Sequence, residues 1–146
     1  MNWNPGRAVL AGLAGTAAMT MLMLLAPKMG LPPMNIGAML GSMMGGNVAL
    51  GWVAHFMIGT MLALGYAAVF SSRLPGPPPL RGAIFSLIPW LMAQLVVMPA
   101  IGMGFFSGSA MAASGSLLGH LLFGAVLGLA YGIRVVPQAT PHPVRA

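Results

Sequence analysis

The sequence predicts an all-α integral membrane protein: a four-helix transmembrane bundle built from two tandem, parallel-related helical hairpins. Three observations predict it. Only 4% of the 146 residues are charged and none is Asp or Glu, whereas about 25% of an ordinary soluble domain is charged. Four apolar runs approach or exceed the ~20 residues needed to cross a hydrocarbon core of roughly 30 Å. The second and fourth runs share the pattern His-x3-Gly-x6-Tyr, with His55, Gly59 and Tyr66 matching His120, Gly124 and Tyr131, as duplication of a hairpin would produce.

Span one is read from about residue 8 to 26, following Arg7 and closing at Pro27. The basic start imitates a secretory signal, but the apolar stretch is long and no small-x-small cleavage site follows, so it is read as a retained helix. Span two covers about 48–70, span three about 82–100 and span four about 116–136. The organisation is then a first hairpin at 1–70, a Pro-rich inner link at 71–81, a second hairpin at 82–136 and a mobile tail at 137–146. Because a two-span unit keeps its orientation when copied, the pseudo-two-fold axis is expected along the membrane normal. Pro75, Pro77, Pro78 and Pro79 make the link a stiff extended connector. Pro89 is expected to bend span three by freeing the carbonyl of Phe85.

Arg7, Arg73, Arg81, Arg134 and Arg145 fall on one side of these spans, leaving Lys28 alone on the other. By the positive-inside rule both termini are cytoplasmic. A net charge of +6 does not indicate nucleic acid here: the charges cap span ends and form no basic stripe with interleaved aromatics.

Composition also removes most enzyme classes. With no side-chain carboxylate and no Cys, the chain has no acid–base carboxylate pair, no carboxylate-held Mg²⁺ or Ca²⁺, no thiolate nucleophile and no iron–sulfur ligand. The reading is a non-enzyme.

The remaining chemistry rests on a few polar side chains inside the spans. Taking every fourth residue, Gly51, His55, Gly59, Ala63 and Ala67 correspond to Ser116, His120, Gly124, Gly128 and Gly132. Small residues at that spacing let helices approach closely in lipid, so spans two and four are expected to touch, with the imidazoles facing one another at similar depth in the outer leaflet. Gly59 and Gly124 then serve either helix packing or clearance for a ring. An ionisable residue inside a membrane is a functional candidate by default, and His55 and His120 suit the axial positions of haem b or another tetrapyrrole. The plainer reading, weighed ahead of it, is that each histidine bonds a carbonyl or hydroxyl and locks the bundle. Thr20 and Gln94 lie at comparable depth and form a small polar pocket with the histidines if both point inward; otherwise Thr20 bonds back to its own helix. Tyr66 and Tyr131 are read as interfacial anchors.

The outer connections are too apolar for free loops. Met29, Met34, Ile36, Met39, Leu40, Met43 and Met44 crowd the first, and a short helix is expected from near Asn35. Ile101, Met103, Phe105, Phe106 and Met111 repeat the character in the second. Both suggest a surface for a protein partner, self-association or lipid. Clustered thioethers suit Cu(I), but methionine is also a flexible apolar filler, and no His–Met spacing supports copper. No metal or cofactor is therefore assigned from the sequence.

With the Leu31-Pro32-Pro33-Met34 loop, the His-x3-Gly spans and the Pro-rich link in view, the chain resembles a family of small four-span bacterial inner-membrane proteins of unknown function, over roughly residues 7–134. The resemblance implies the four-span topology and an inner-membrane location, and no activity. Three functions are carried forward in order: a non-catalytic membrane subunit that docks on or stabilises a larger complex; a bis-histidine tetrapyrrole protein for electron transfer; and a small-solute or ion pathway made by an oligomer.

Overall fold

The computed structural model describes residues 3–132. The expected end of span four beyond Gly132, the tail 137–146, Arg134 and Arg145 lie outside the described residues. Four helices are long and apolar enough to cross a membrane, and no strand occurs among the described residues.

Helix α1 (Pro5–Leu25) starts where Asn4 accepts the Arg7 backbone N–H at 2.9 Å and Pro5 occupies the first turn, a position where a missing donor costs nothing. It tightens into a 3₁₀ turn over Ala26–Met29 and ends at Gly30, whose φ of 80° is the left-handed conformation that stops a helix. The short α2 (Ile36–Ser42) is capped by Asn35, as expected, and α3 (Val48–Gly65) by Asn47. A π-helical turn, Tyr66–Phe70, completes the second span. Helix α4 (Pro78–Met92) begins inside the stretch expected to be an extended link, because Pro78 and Pro79 are accommodated in a first turn. It continues through Pro89, widens into a π-helical turn at Ala93–Val97 and finishes with Met98–Ala100. Helix α5 (Ala110–Gly132) starts about one and a half turns earlier than the sequence reading placed it.

Close approach of small residues holds the bundle together. In the first hairpin a Cβ on Gly59 would collide with the Thr16 hydroxyl, and one on Gly12 would lie 2.7 Å from the Ala63 Cβ. In the second, Gly82 and Gly124 are in backbone contact, and Gly128 meets the Pro78 carbonyl. A third contact joins the hairpins: a Cβ on Gly15 would sit 2.8 Å from the Phe123 carbonyl oxygen. The expected packing of the span-two stripe on the span-four stripe does not form, and the two spans meet instead at the link end through Tyr66 and Tyr131. Helices α3 and α5 each spend their small-residue stripe on the first long helix of their own hairpin, so the packing order is α4, α5, α1, α3. Helices α3 and α4, at the ends of this row, converge where the π turn after α3 meets α4. The outer helix α2 lies on α3 through Gly37 and Gly51, whose backbones touch.

The end of the bundle carrying the Pro-rich link is sealed by aromatic rings. Tyr66 and Phe85 have centroids 5.3 Å apart, Phe70 and Phe85 5.1 Å, and Tyr66 and Tyr131 6.2 Å. Both tyrosines are buried, at 1% and 3% exposure, and Tyr131 Oη accepts the Asn4 N–H at 3.4 Å. The interfacial-anchor reading is therefore corrected: eleven residues beyond the histidine leaves each tyrosine only about 20° off the small-residue stripe, and that stripe faces inward. At this end Arg7 Nε donates to the Ala130 carbonyl (3.2 Å), Arg73 Nη1 to Val69 (2.6 Å) and Arg81 Nη1 to Ser71 (3.0 Å). Cations there satisfy the last carbonyls of helices whose dipoles favour positive charge.

Candidate functional site

Between the open ends of the helix row lies a chamber of about 380 Å³, lined from α1, the α2 segment, α3, the third span and α5. Its walls are apolar apart from Thr16, Ser116, His55 and His120. The link end is closed by Phe85 and the tyrosine cluster behind it, and Met34, Ile36, Met39 and Leu40 cover the α2 end. Sideways it opens between α3 and α4, where Ile58, Ile88 and Met92 line it yet remain 46%, 49% and 56% exposed. A wider groove of about 590 Å³, lined by Leu13, Trp52, Val53, Met57 and neighbours, runs over the α1–α3 surface; it contains neither histidine and has the character of an acyl-chain contact.

Both histidines lie on the chamber wall, and their tautomers follow from their partners. The Thr20 hydroxyl has one proton, which it donates to the Thr16 carbonyl at 2.8 Å. Thr20 Oγ1 therefore accepts from His55 Nε2–H, 3.1 Å away, and His55 keeps a lone pair on Nδ1. His120 Nδ1 lies 2.8 Å from the Ser116 carbonyl oxygen, which can only accept, so His120 keeps its lone pair on Nε2. Neither lone pair has a hydrogen-bond partner among the described residues. Trp52 and Phe56 hold the His55 ring edge-on at centroid distances of 6.0 and 5.7 Å.

The polar pocket expected from Thr20 and Gln94 is replaced by two separate supports. Thr20 does both things considered for it, bonding its own helix and receiving His55. Gln94 is fully buried away from the chamber, donating to Ser116 Oγ at 3.1 Å and accepting from Ser107 Oγ at 2.9 Å. It thus steadies the residue whose carbonyl orients His120. Gln94 sits in a π turn, and its other partner, Ser107, has a left-handed backbone, φ 58°. Gly59 lines the chamber while packing on α1, and Gly124 packs on α4, so clearance for a macrocycle is not what these glycines provide.

Sequence reasoning missed the chamber's third component. Met19, Met23, Met34, Met39, Met92 and Met98 all line it, and no spacing signal joins them to the histidines. Among the described residues no group of three or more His, Cys, Asp or Glu side chains is placed to hold a metal.

The model of a family of unknown function, DUF6789, matches residues 3–141, nearly the whole chain. The chain belongs to this family. Membership brings a four-span membrane architecture into agreement with an uncharacterised family, and no activity or ligand. No curated protein and no solved structure matches the chain.

Proposed function

We propose that this member of the family is a non-catalytic membrane subunit that carries a ligand in its bundle, with His55 and His120 as the ligand-contacting groups. One observation carries the reading: two imidazoles, each fixed by a hydrogen bond through one nitrogen and bare at the other, line a single apolar chamber. A polar atom left without a partner in an apolar surround costs free energy, so two unpaired ring nitrogens on residues that line one chamber point to an occupant. The arginines at the link end support placement in a bacterial inner membrane with that end, and both termini, in the cytoplasm. The chamber then lies toward the periplasmic leaflet.

The tetrapyrrole reading fits less well. A macrocycle needs an unhindered Nε2 from each ligand, whereas the free nitrogen of His55 is Nδ1, flanked by the Cβ and the helix backbone. The aromatic closure at the link end favours a binding chamber over a conduit. Support for docking on a larger complex comes from Phe105 and Phe106, 68% and 42% exposed beside Met103 near the α2 end.

Because the chain has no cysteine, His55→Cys and His120→Cys can be made together and treated in membranes with a short bismaleimide. The double variant should be bridged within one chain, while a control pairing His55→Cys with outward-facing Leu118→Cys should not. Labelling of each single variant without bridging of the pair would show that the two positions do not share a cavity. For docking, a natively solubilised sample that always migrates as a lone small monomer would remove the subunit part of the reading.

A further inference from the structure

We infer that the chamber binds one Cu(I) ion between His55 and His120, with the thioethers of Met19 and Met23 completing the donor set. The inference rests on the ligand-chamber reading above and names its ligand.

Burial sorts the methionines. Nine of those described are exposed, whereas the five that are not, Met19, Met23, Met34, Met39 and Met98, all line the chamber. They arrive from α1, the α2 segment and the third span, so no single helix periodicity accounts for them. Two of them meet on the turn of α5 that carries His120: a Cβ placed on Gly119 would lie 3.0 Å from Met23 Cε and 3.4 Å from Met19 Cε.

The donor chemistry selects the ion. Every donor available here is neutral: thioether sulfur, imidazole nitrogen and the hydroxyls of Thr16 and Ser116, which are already engaged with Gly12 and Gln94. Hard cations require oxygen ligands, and this chain has no carboxylate. Thioethers are soft ligands that select Cu(I), and imidazole also suits copper. The cost of desolvating an ion scales with the square of its charge, so a divalent ion of equal radius costs about four times as much to place in an apolar chamber without counter-charge. A soft monovalent ion is what remains.

The hydrogen bonds fit the same assignment. A ligating histidine normally donates its other ring N–H to a fixed acceptor, which sets the tautomer and the ring orientation. His55 donates to Thr20 and His120 to the Ser116 carbonyl, and Thr20 and Ser116 are fixed in turn by Thr16 and Gln94. Both support shells are in place, and each leaves one neutral nitrogen available. Met43 and Met44, exposed just beyond α2, provide thioethers at the surface next to Met39, on the side from which an aqueous Cu(I) donor would approach.

The test is an anaerobic titration of the purified full-length chain in detergent, with Cu(I) competed against a chromogenic Cu(I) chelator and the bound ion characterised by X-ray absorption. One equivalent withheld from the chelator, with sulfur and nitrogen neighbours, is expected. Met19→Leu/Met23→Leu, which conserves volume and so preserves the fold, should weaken binding by at least about 10- to 100-fold, the loss that follows removal of a group that only supports a ligand, and should remove sulfur scattering. His55→Leu/His120→Leu should abolish retention. Complete stripping of the ion from the unaltered protein, or equal retention by the Met19→Leu/Met23→Leu chain, would overturn the assignment. If copper is stripped but the paired cysteines still bridge, the chamber stands with another occupant; if bridging also fails, the chamber reading falls with it.

Discussion

The two hairpins reach the same packing by different contacts. In the second, the closest approach of α4 to α5 is backbone on backbone, Gly82 on Gly124 and Pro78 on Gly128, with the Ser86 and Pro78 side chains beside it. In the first, α1 meets α3 through side chains: the Thr16 hydroxyl fills the space above Gly59, and the Ala63 methyl the space above Gly12. The histidines differ in parallel. His120 is held by its own helix at Ser116, whereas His55 is held across the helix interface by Thr20. One imidazole is therefore fixed by secondary structure and the other by tertiary packing. Similar sequence patterns can carry side chains into one chamber while assigning them opposite tautomers.

The largest effect is expected for Gly82→Ala, where the new methyl meets immovable backbone on two residues of α5; a loss of about 3 kcal/mol, at the upper end for overpacking, should appear in unfolding from detergent micelles. Gly65→Ala, with nothing within 4 Å, should be tolerated and serves as the control. Next, Gln94→Leu removes both bonds that tie the third span to Ser116 and Ser107 and should cost about 1–2 kcal/mol. Gly59→Ala should cost less than Gly82→Ala, about 1 kcal/mol, because the Thr16 side chain that it meets can rotate. Equal costs for the two glycine variants would show that the hairpins are packed alike.

Thr20→Val sharpens the difference between the histidines. A loss of about 0.6 kcal/mol is expected for one interhelical hydrogen bond in a membrane. In nitrogen-resolved NMR spectra the Nε2–H signal of His55 should shift while the Nδ1–H signal of His120 stays in place. Movement of both signals would mean that the two supports are coupled, contrary to their separate partners. The smallest effect belongs to Tyr131→Phe, about 0.5 kcal/mol, since it removes only the long bond to Asn4.

Much of the architecture is legible in the residues. Four apolar runs, the asparagine caps before α1, α2 and α3, and Gly30 as a helix stop depend on local chemistry that any neighbouring structure must respect. The small-residue stripes are equally legible, and so is the burial of Tyr66 and Tyr131, had their 20° offset been followed to its consequence. The partner of each stripe is not written locally, because a glycine ridge accepts any close helix; the side chains and backbone that each ridge meets, and the Gly15–Phe123 contact between hairpins, decide it.

The order of residues alone set the membrane class, the number of spans, the start of the short helix near Asn35, and the two polar rings that hydrocarbon must accommodate. Only the tertiary structure decided that α3 and α5 stand apart with a chamber between them. It alone also decided which ring nitrogen stays free and which methionines turn inward. The reason is physical: hydropathy and capping act within a few residues along the chain. Cavity walls and hydrogen-bond partners are set by helices that meet in space, and those meetings leave no fixed spacing in the sequence.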